Sequence, residues 1–175
     1  MLETNGVGCV WVNQGVQNIN LFLAQLRERL QDCFVQKNNQ DISLVSENRL
    51  YKQIKGGFCY KKYLADIKEK YLRVSISKIR LGSHNFMIER GRWHSPKIPY
   101  AQRFCTCCNV VEDEYHDLLN CDKFKALRDR YFPKRLLIKP SMFKFVNFLQ
   151  SFCDKEGKLF SVYCYKVIQE YQKTI

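Results

Sequence analysis

No run of apolar residues in this 175-residue sequence approaches eighteen, so no membrane-spanning helix and no membrane partner are expected. The opening stretch, MLETNGVGCVWVNQ, has no basic segment followed by an apolar block, which argues against a secretory signal. No internal repeat or low-complexity tract is visible. Histidine is scarce, with only His84, His94 and His116. An enzyme pairing a cysteine nucleophile with a free imidazole therefore has little to draw on. The nine cysteines are an odd number, and five of them lie scattered at 9, 33, 59, 153 and 164. That spread does not suit a disulfide scaffold, and reduced thiols without a signal point to a nuclear or cytoplasmic protein.

What is present points to a folded chain. Apolar residues make up 46% of the sequence, with 12 Phe and 10 Tyr, which argues against disorder and provides for one good core. Net charge is +12 and unevenly placed. Residues 1–50 hold four Lys/Arg against five Asp/Glu, whereas residues 51–175 hold 25 against 12. The basic surplus suits a polyanion, most often nucleic acid, and the competing reading is a well-solvated surface.

The chemistry is concentrated in RFCTCCNVVEDEYHDLLNC, residues 103–121. Cys105, Cys108, His116 and Cys121 form the pattern C-x₂-C-x₇-H-x₄-C. Two cysteines separated by two residues can turn both sulfurs to one point, and four Cys/His ligands with no open position describe a structural zinc site. The four ligand atoms are expected within about 4 Å of each other. The competing reading is buried, unmetallated cysteines. Cys107 is too close to Cys105 for the usual knuckle geometry and reads as a bystander. Glu112, Asp113 and Glu114 read as acids gathered at the start of a helix that presents His116.

The periodicity predicts a mainly α fold of six or seven helices, with an irregular zinc-bound loop between N-terminal and C-terminal helix groups. Residues 1–15 read as a loop or joint, 16–82 as the N-terminal helical part, 83–131 as a basic, zinc-binding segment, and 132–175 as a helical pair. The whole is expected to be one compact domain. Asn18 caps a helix with Ile19, Leu23, Leu26, Leu30 and Cys33 on one face, broken at Asn38–Asp41. Ser46 opens a second helix carrying Leu50, Tyr51 and Ile54, ended by Gly56-Gly57. A third runs from Tyr60 with Leu64, Ile67 and Tyr71 inward, and LRVSISKIRLG reads as helix ending at Gly82.

Residues 83–104 read as irregular, with a short strand at Phe86–Ile88 and no helix across Pro96 and Pro99. Arg90, Arg92, Lys97 and Arg103 surround the single acid Glu89, with Trp93 and Tyr100 between them. Such a loop can grip phosphates and stack on bases, although large aromatics dominate cores and the reading favours Trp93 as core. Asp122 caps a helix with Phe124, Leu127 and Tyr131 inward, stopped by Pro133. Ser141 caps the next, with stripe Phe145, Val146, Leu149 and Phe152. Gly157 separates it from the last, with stripe Phe160, Tyr163, Cys164, Val167 and Tyr171.

Several residues carry a resemblance: Arg80-Leu81-Gly82-Ser83-His84, Ile88-Glu89-Arg90-Gly91-Arg92, Cys105 and Cys108, Val111 to His116, Leu119, Cys121, Phe124 and Arg128. Together they resemble the region downstream of the polymerase domain in non-LTR (LINE-type, jockey-like) retrotransposon reverse transcriptases, which carries a Cys-Cys-His-Cys zinc-knuckle-like motif. The match is specific over 78–130 and weak over the helices on either side. Asp117 departs from it, since the family usually places an aromatic after the histidine.

The resemblance implies accessory binding of RNA or DNA, with Zn2+ as cofactor and no small-molecule substrate. It does not imply catalysis here, because the chain has no Asp-Asp pair of the kind polymerases use to hold two magnesium ions. The expected phosphate contacts are Arg80, Arg90, Arg92, Lys97, Arg103, Lys123 and Arg128, sharing one face. The alternative is a non-catalytic protein-interaction domain or inert remnant.

Overall fold

The computed structural model describes residues 8–13, 15–44, 49–56, 60–151 and 154–173. The elements in order are α1 (Gly8–Asn13), α2 (Ile19–Leu44), α3 (Arg49–Ile54), α4 (Tyr63–Asp66), α5 (Lys70–Leu81), α6 (Met87–Trp93), α7 (Lys125–Tyr131), α8 (Lys134–Leu137), α9 (Met142–Ser151) and α10 (Asp154–Gln172). The mainly α fold expected from the periodicity is what forms, in ten helices among the described residues rather than six or seven. Among the described residues there is no β-strand, only one isolated antiparallel bridge, between Phe104 and Val111. Among the described residues, no helix is long and apolar enough to cross a membrane.

The chain divides into two compact units, residues 1–46 and 47–175, where the sequence reading expects one domain. In the first unit, α1 occupies part of the stretch read as a loop. Asn18 caps α2 as expected, its Oδ1 accepting the Leu21 N–H at 3.0 Å. The helix does not break at Asn38–Asp41 but continues to Leu44. Asn and Asp cost only a fraction of a kcal/mol each inside a helix, too little to end one. No residue of α2 is buried; on its expected packing face Ile19, Leu23, Leu30 and Cys33 are exposed and Leu26 is half-buried.

The second unit holds the core. Among the described residues, every buried hydrophobic one lies between Leu50 and Tyr171. α10 packs on α5 and α7, and α3 packs on α5 and α9. The expected stripe on α10, Phe160, Tyr163, Cys164, Val167 and Tyr171, is buried throughout. It meets Leu72, Ile76 and Ile79 of α5 in one apolar cluster. Phe160 is ringed by aromatics, edge-on to Phe132, Phe145 and Phe148 at centroid distances of 5.5, 6.2 and 5.1 Å. Edge-to-face pairs of this kind add to what area burial contributes.

Several boundaries follow the expected chemistry. Gly82 ends α5 at φ 65°, and the Ser83 N–H reaches back to the Lys78 carbonyl at 2.9 Å. A left-handed residue after the last turn closes the helix in this way, and glycine adopts it without steric penalty. Ser141 Oγ accepts the Lys144 N–H at the start of α9.

Other boundaries need correction. The third helix breaks after Asp66 and resumes at Lys70, so Tyr71 faces solvent. Phe86–Ile88 is not a strand: Phe86 precedes α6, whose Glu89 and Arg90 amides bond to the Phe86 carbonyl. α10 begins at Asp154 and runs through Gly157, since one glycine costs only about 1 kcal/mol within an otherwise strong helix. The Ser46 helix start, Gly57 and Phe152 lie outside the described residues.

Candidate metal centre and basic surface

A narrow loop carries the first two cysteines. The Cys105 N–H donates to the Val110 carbonyl at 2.8 Å and the Glu112 N–H to the Arg103 carbonyl at 2.8 Å, beside the Phe104–Val111 bridge. Within it the Asn109 N–H donates to the Cys105 carbonyl, and Asn109 takes φ 53°, a left-handed conformation that Asn tolerates. The loop sets Cys105 and Cys108 on one side.

The chain then turns at Asp113, whose Oδ1 accepts the His116 N–H at 2.8 Å. His116–Asn120 forms a single π turn, and the Cys121 N–H bonds back to the His116 carbonyl at 2.7 Å. A wide turn of this type is frequent at functional sites. It returns Cys121 to the histidine.

The ligand atoms of Cys105, Cys108, His116 and Cys121 all lie within 4.8 Å of one another, slightly wider than the spacing expected. Cys105 Sγ and Cys121 Sγ are 3.7 Å apart, and Cys108 Sγ and Cys121 Sγ 3.8 Å. Disulfide sulfurs would be about 2.05 Å apart, so these are not disulfides. Sulfurs at the corners of a tetrahedron with bonds of about 2.3 Å would be about 3.8 Å apart. His116 is 8% exposed, and its Nε2 has no hydrogen-bond partner among the described residues. An orphaned imidazole nitrogen beside three converging thiols fits a metal ion. The four side chains can hold one.

Protonation fits as well. Burial holds the His116 imidazole below its usual range, favouring the neutral form that ligates metals. Burial pushes the Cys105 and Cys121 thiols up, while the Asp122 backbone N–H draws the Cys108 thiol down. A bound dication would favour all three thiolates and release protons on binding. Cys107 is exposed and stays outside the cluster.

Asp117 is wholly buried beside the centre. Burial, with Glu112 nearby, pushes its carboxyl up to about 8. Its Oδ2 accepts the Tyr171 hydroxyl of α10 at 2.7 Å. Asp117 thus ties the π turn to the last helix.

The three acids do more than start a helix. Asp113 caps the turn, as above. Glu112 Oε1 accepts the Met87 N–H at 2.5 Å, fixing the first turn of α6. Glu114 Oε1 meets His84 Nε2 at 3.1 Å and its Oε2 meets Arg49 Nη2 at 3.4 Å. Burial raises the Glu114 carboxyl, but the His84 and Arg49 contacts outweigh it and the net shift is downward. The sequence reading missed this His84–Glu114–Arg49 group, whose members are 30 and 65 residues from Glu114. Separations of that size leave no local signal in the sequence.

The expected basic face divides. Arg90, Lys97 and Lys123 are exposed, and Arg92 is half-buried with its Nη1 on Glu89 Oε2 at 2.7 Å. Lys123 Nζ stands over the Tyr171 ring at 4.8 Å. Arg80, Arg103 and Arg128, expected on the surface, are buried at 3, 6 and 6% exposure. Arg80 donates to the Leu149 carbonyl, and Arg103 to the Ile88 and Ile98 carbonyls. A guanidinium carries five N–H donors and can satisfy carbonyls that short helices leave open.

Trp93, favoured as core, is 79% exposed. Comparisons with protein-family models, with curated proteins and with solved structures returned no match to this chain.

Proposed function

We propose that the chain is a zinc-stabilised nucleic-acid-binding accessory module, resembling the region downstream of the reverse transcriptase domain of a non-LTR retrotransposon. One observation carries this reading. Three thiols and a neutral imidazole with an orphaned nitrogen converge within 4.8 Å, inside the basic part of the chain. Three sulfurs and one nitrogen in a tetrahedral arrangement select zinc over harder cations.

In the same unit, Arg90, Lys97 and Lys123 offer exposed cations to phosphates, and Trp93 and Tyr100 offer exposed rings. Arg80 and Arg103 bond to carbonyls of the fold, and Arg128 is buried, so the proposed ligand surface excludes all three. The proposed role is binding without catalysis, in the nucleus or cytoplasm. The competing reading, a protein-interaction domain or inert remnant, draws on the same fold without the salt-sensitive surface.

The test is metal analysis of the purified chain together with titration of labelled oligonucleotides at two salt concentrations. One zinc per chain and affinity that falls steeply with salt are expected. Replacing Lys97 and Lys123 with alanine should flatten the log–log salt slope by close to one unit per lost contact. Binding that ignores salt, or an undiminished double variant, favours the interaction-remnant reading.

A further inference from the structure

α2 (Ile19–Leu44) is a 26-residue helix in which no residue is buried. A single helix is marginal in water, and in folded proteins helical stability comes mostly from packing an apolar face. α2 has such a face. Ile19, Leu23, Leu26, Leu30 and Cys33 follow one another at spacings of four, three, four and three residues. Lys37, Gln40 and Leu44 continue the same spacing to the end of the helix. A strict 3.5-residue repeat is narrower than the face a helix turns to a globular core, and it forms the seam of a coiled coil. Ile19, Leu23, Leu30 and Leu44 are 63, 53, 40 and 75% exposed. Within the first unit, α1 leaves this seam open. The hollow of about 810 Å³ beside α1 is lined by Val10 and, from α2, by Leu21, Phe22, Gln25 and Asp32 among others, and by no residue of the seam.

We propose that α2 pairs with α2 of a second copy of this chain as a parallel, in-register, two-stranded coiled coil. Charge favours a copy. Residues 19–44 hold Arg27, Arg29 and Lys37 against Glu28, Asp32 and Asp41, so they cancel and the whole +12 lies elsewhere. Chains of like charge repel, and α2 is a stretch over which two copies approach without that cost. An anionic membrane gains no attraction from a neutral helix. Area is sufficient as well. Ile19, Leu23, Leu26, Leu30, Phe34 and Leu44 each remove on the order of 100 Å² of apolar surface when fully covered. A pair of helices then buries about 1,000 Å², the extent a specific interface needs.

The pattern also sets direction and number. Parallel and in register, each seam residue meets itself, so the apolar layers at Ile19, Leu23, Leu26 and Leu30 lie together. A fully overlapped antiparallel pair sets Leu23 against Gln40 and Leu26 against Lys37. In the heptad, Leu23, Leu30 and Lys37 occupy a, and Ile19, Leu26 and Cys33 occupy d. A single lysine at a specifies register and oligomer state at a cost in stability. In a two-stranded seam its stem lies along the apolar layer while the ammonium reaches water. Cys33, exposed in the single chain, faces Cys33 of the other copy.

The experiment uses the full chain purified with zinc and reductant, followed by sedimentation equilibrium over a range of concentrations. A mass of twice 20.9 kDa is expected, and Leu23→Glu combined with Leu30→Glu should return it to a monomer. Both leucines belong to the first unit, so the melt of the second unit should be unchanged. Helix content should fall in the double variant and on dilution of the parent. With reductant removed, diamide takes up the two protons and two electrons of a thiol pair. It should link the parent through Cys33 to Cys33, identified by peptide mass, and Cys33→Ser should lose that link.

A parent that stays monomeric at every concentration, a tetramer, or a double variant that still dimerises overturns the proposal. A monomer whose second unit melts lower in the double variant would show that α2 packs on its own chain. A monomer that binds phosphatidylserine vesicles only while Leu23 and Leu30 are present would assign the seam to a membrane. A dimer in which diamide links no Cys33 pair overturns the parallel register.

Discussion

At the scale of single residues, the arginines separate by what surrounds them rather than by sequence neighbourhood. Arg103 lies in a basic run with Lys97, yet its side chain turns inward across α6. Its Nη1 donates to the Ile88 carbonyl at 2.7 Å and its Nε to the Ile98 carbonyl at 3.0 Å. The path is open only because residue 91 is glycine. A Cβ there would lie 2.8 Å from Arg103 Cγ and 2.9 Å from its Cδ. Gly91→Ala gains helix propensity of up to about 1 kcal/mol, but it forces the stem of a buried side chain aside and breaks charge-assisted bonds. Overpacking costs about 1–3 kcal/mol, and buried hydrogen bonds to a charged group add to that. The expected outcome is net destabilisation of about 1–3 kcal/mol, read as a lower thermal midpoint. A variant as stable as the parent would show that Arg103 reaches its carbonyls by another path.

At the scale of elements, the long apolar stripes of α9 and α10 and the glycine stop of α5 were legible because local chemistry and tertiary packing agree there. The cysteine pattern was legible for the same reason: its spacing states the geometry. What the sequence concealed depends on distant partners. Phe86-Met87-Ile88 reads as a short strand within an irregular segment, whereas α6 starts at Met87, where Glu112 accepts the Met87 N–H. The inward turn of Arg80 depends on Leu149, 69 residues away. The exposure of Trp93 could not be read from its size.

The π turn that carries His116 is held at its start by Asp113 Oδ1 on the His116 N–H. Asp113→Ala removes this cap, and loss of such a cap costs about 1 kcal/mol. The change should also weaken retention of the proposed zinc against a competing chelator, whereas Asp113→Asn, which keeps the acceptor oxygen, should restore most of it. Equal retention by all three proteins would show that the turn needs no cap.

At the scale of the molecule, the cysteine cluster acts as a junction in the second unit. The π turn is tied to α10 through Asp117 and Tyr171, and the Tyr163 hydroxyl donates to the Leu118 carbonyl at 2.9 Å. The acids just before the turn are tied to α6 and to Arg49 of α3. One short segment thus joins elements from both ends of the unit, and Cys105, Cys121, Leu118 and Leu119 belong to the same buried cluster as the helices. Metal binding at such a point is coupled to folding, because the unfolded chain holds no preformed site.

A chelator should therefore lower the melting temperature of the whole unit, not only loosen one loop. Without metal, buried cysteines and an unpartnered His116 would remain, and their desolvation would no longer be offset. Cys108→Ser should have the same direction of effect while leaving the apolar core intact. In hydrogen exchange, both treatments should first expose amides of 104–121, including the Cys105 and Cys121 amides bonded within the loop and turn. Protection in α6 and in the part of α10 around Tyr163 and Tyr171 should fall next. If chelation left the melt unchanged, or if α10 kept full protection while 104–121 exchanged freely, the cluster would be a peripheral feature of a core that stands without it.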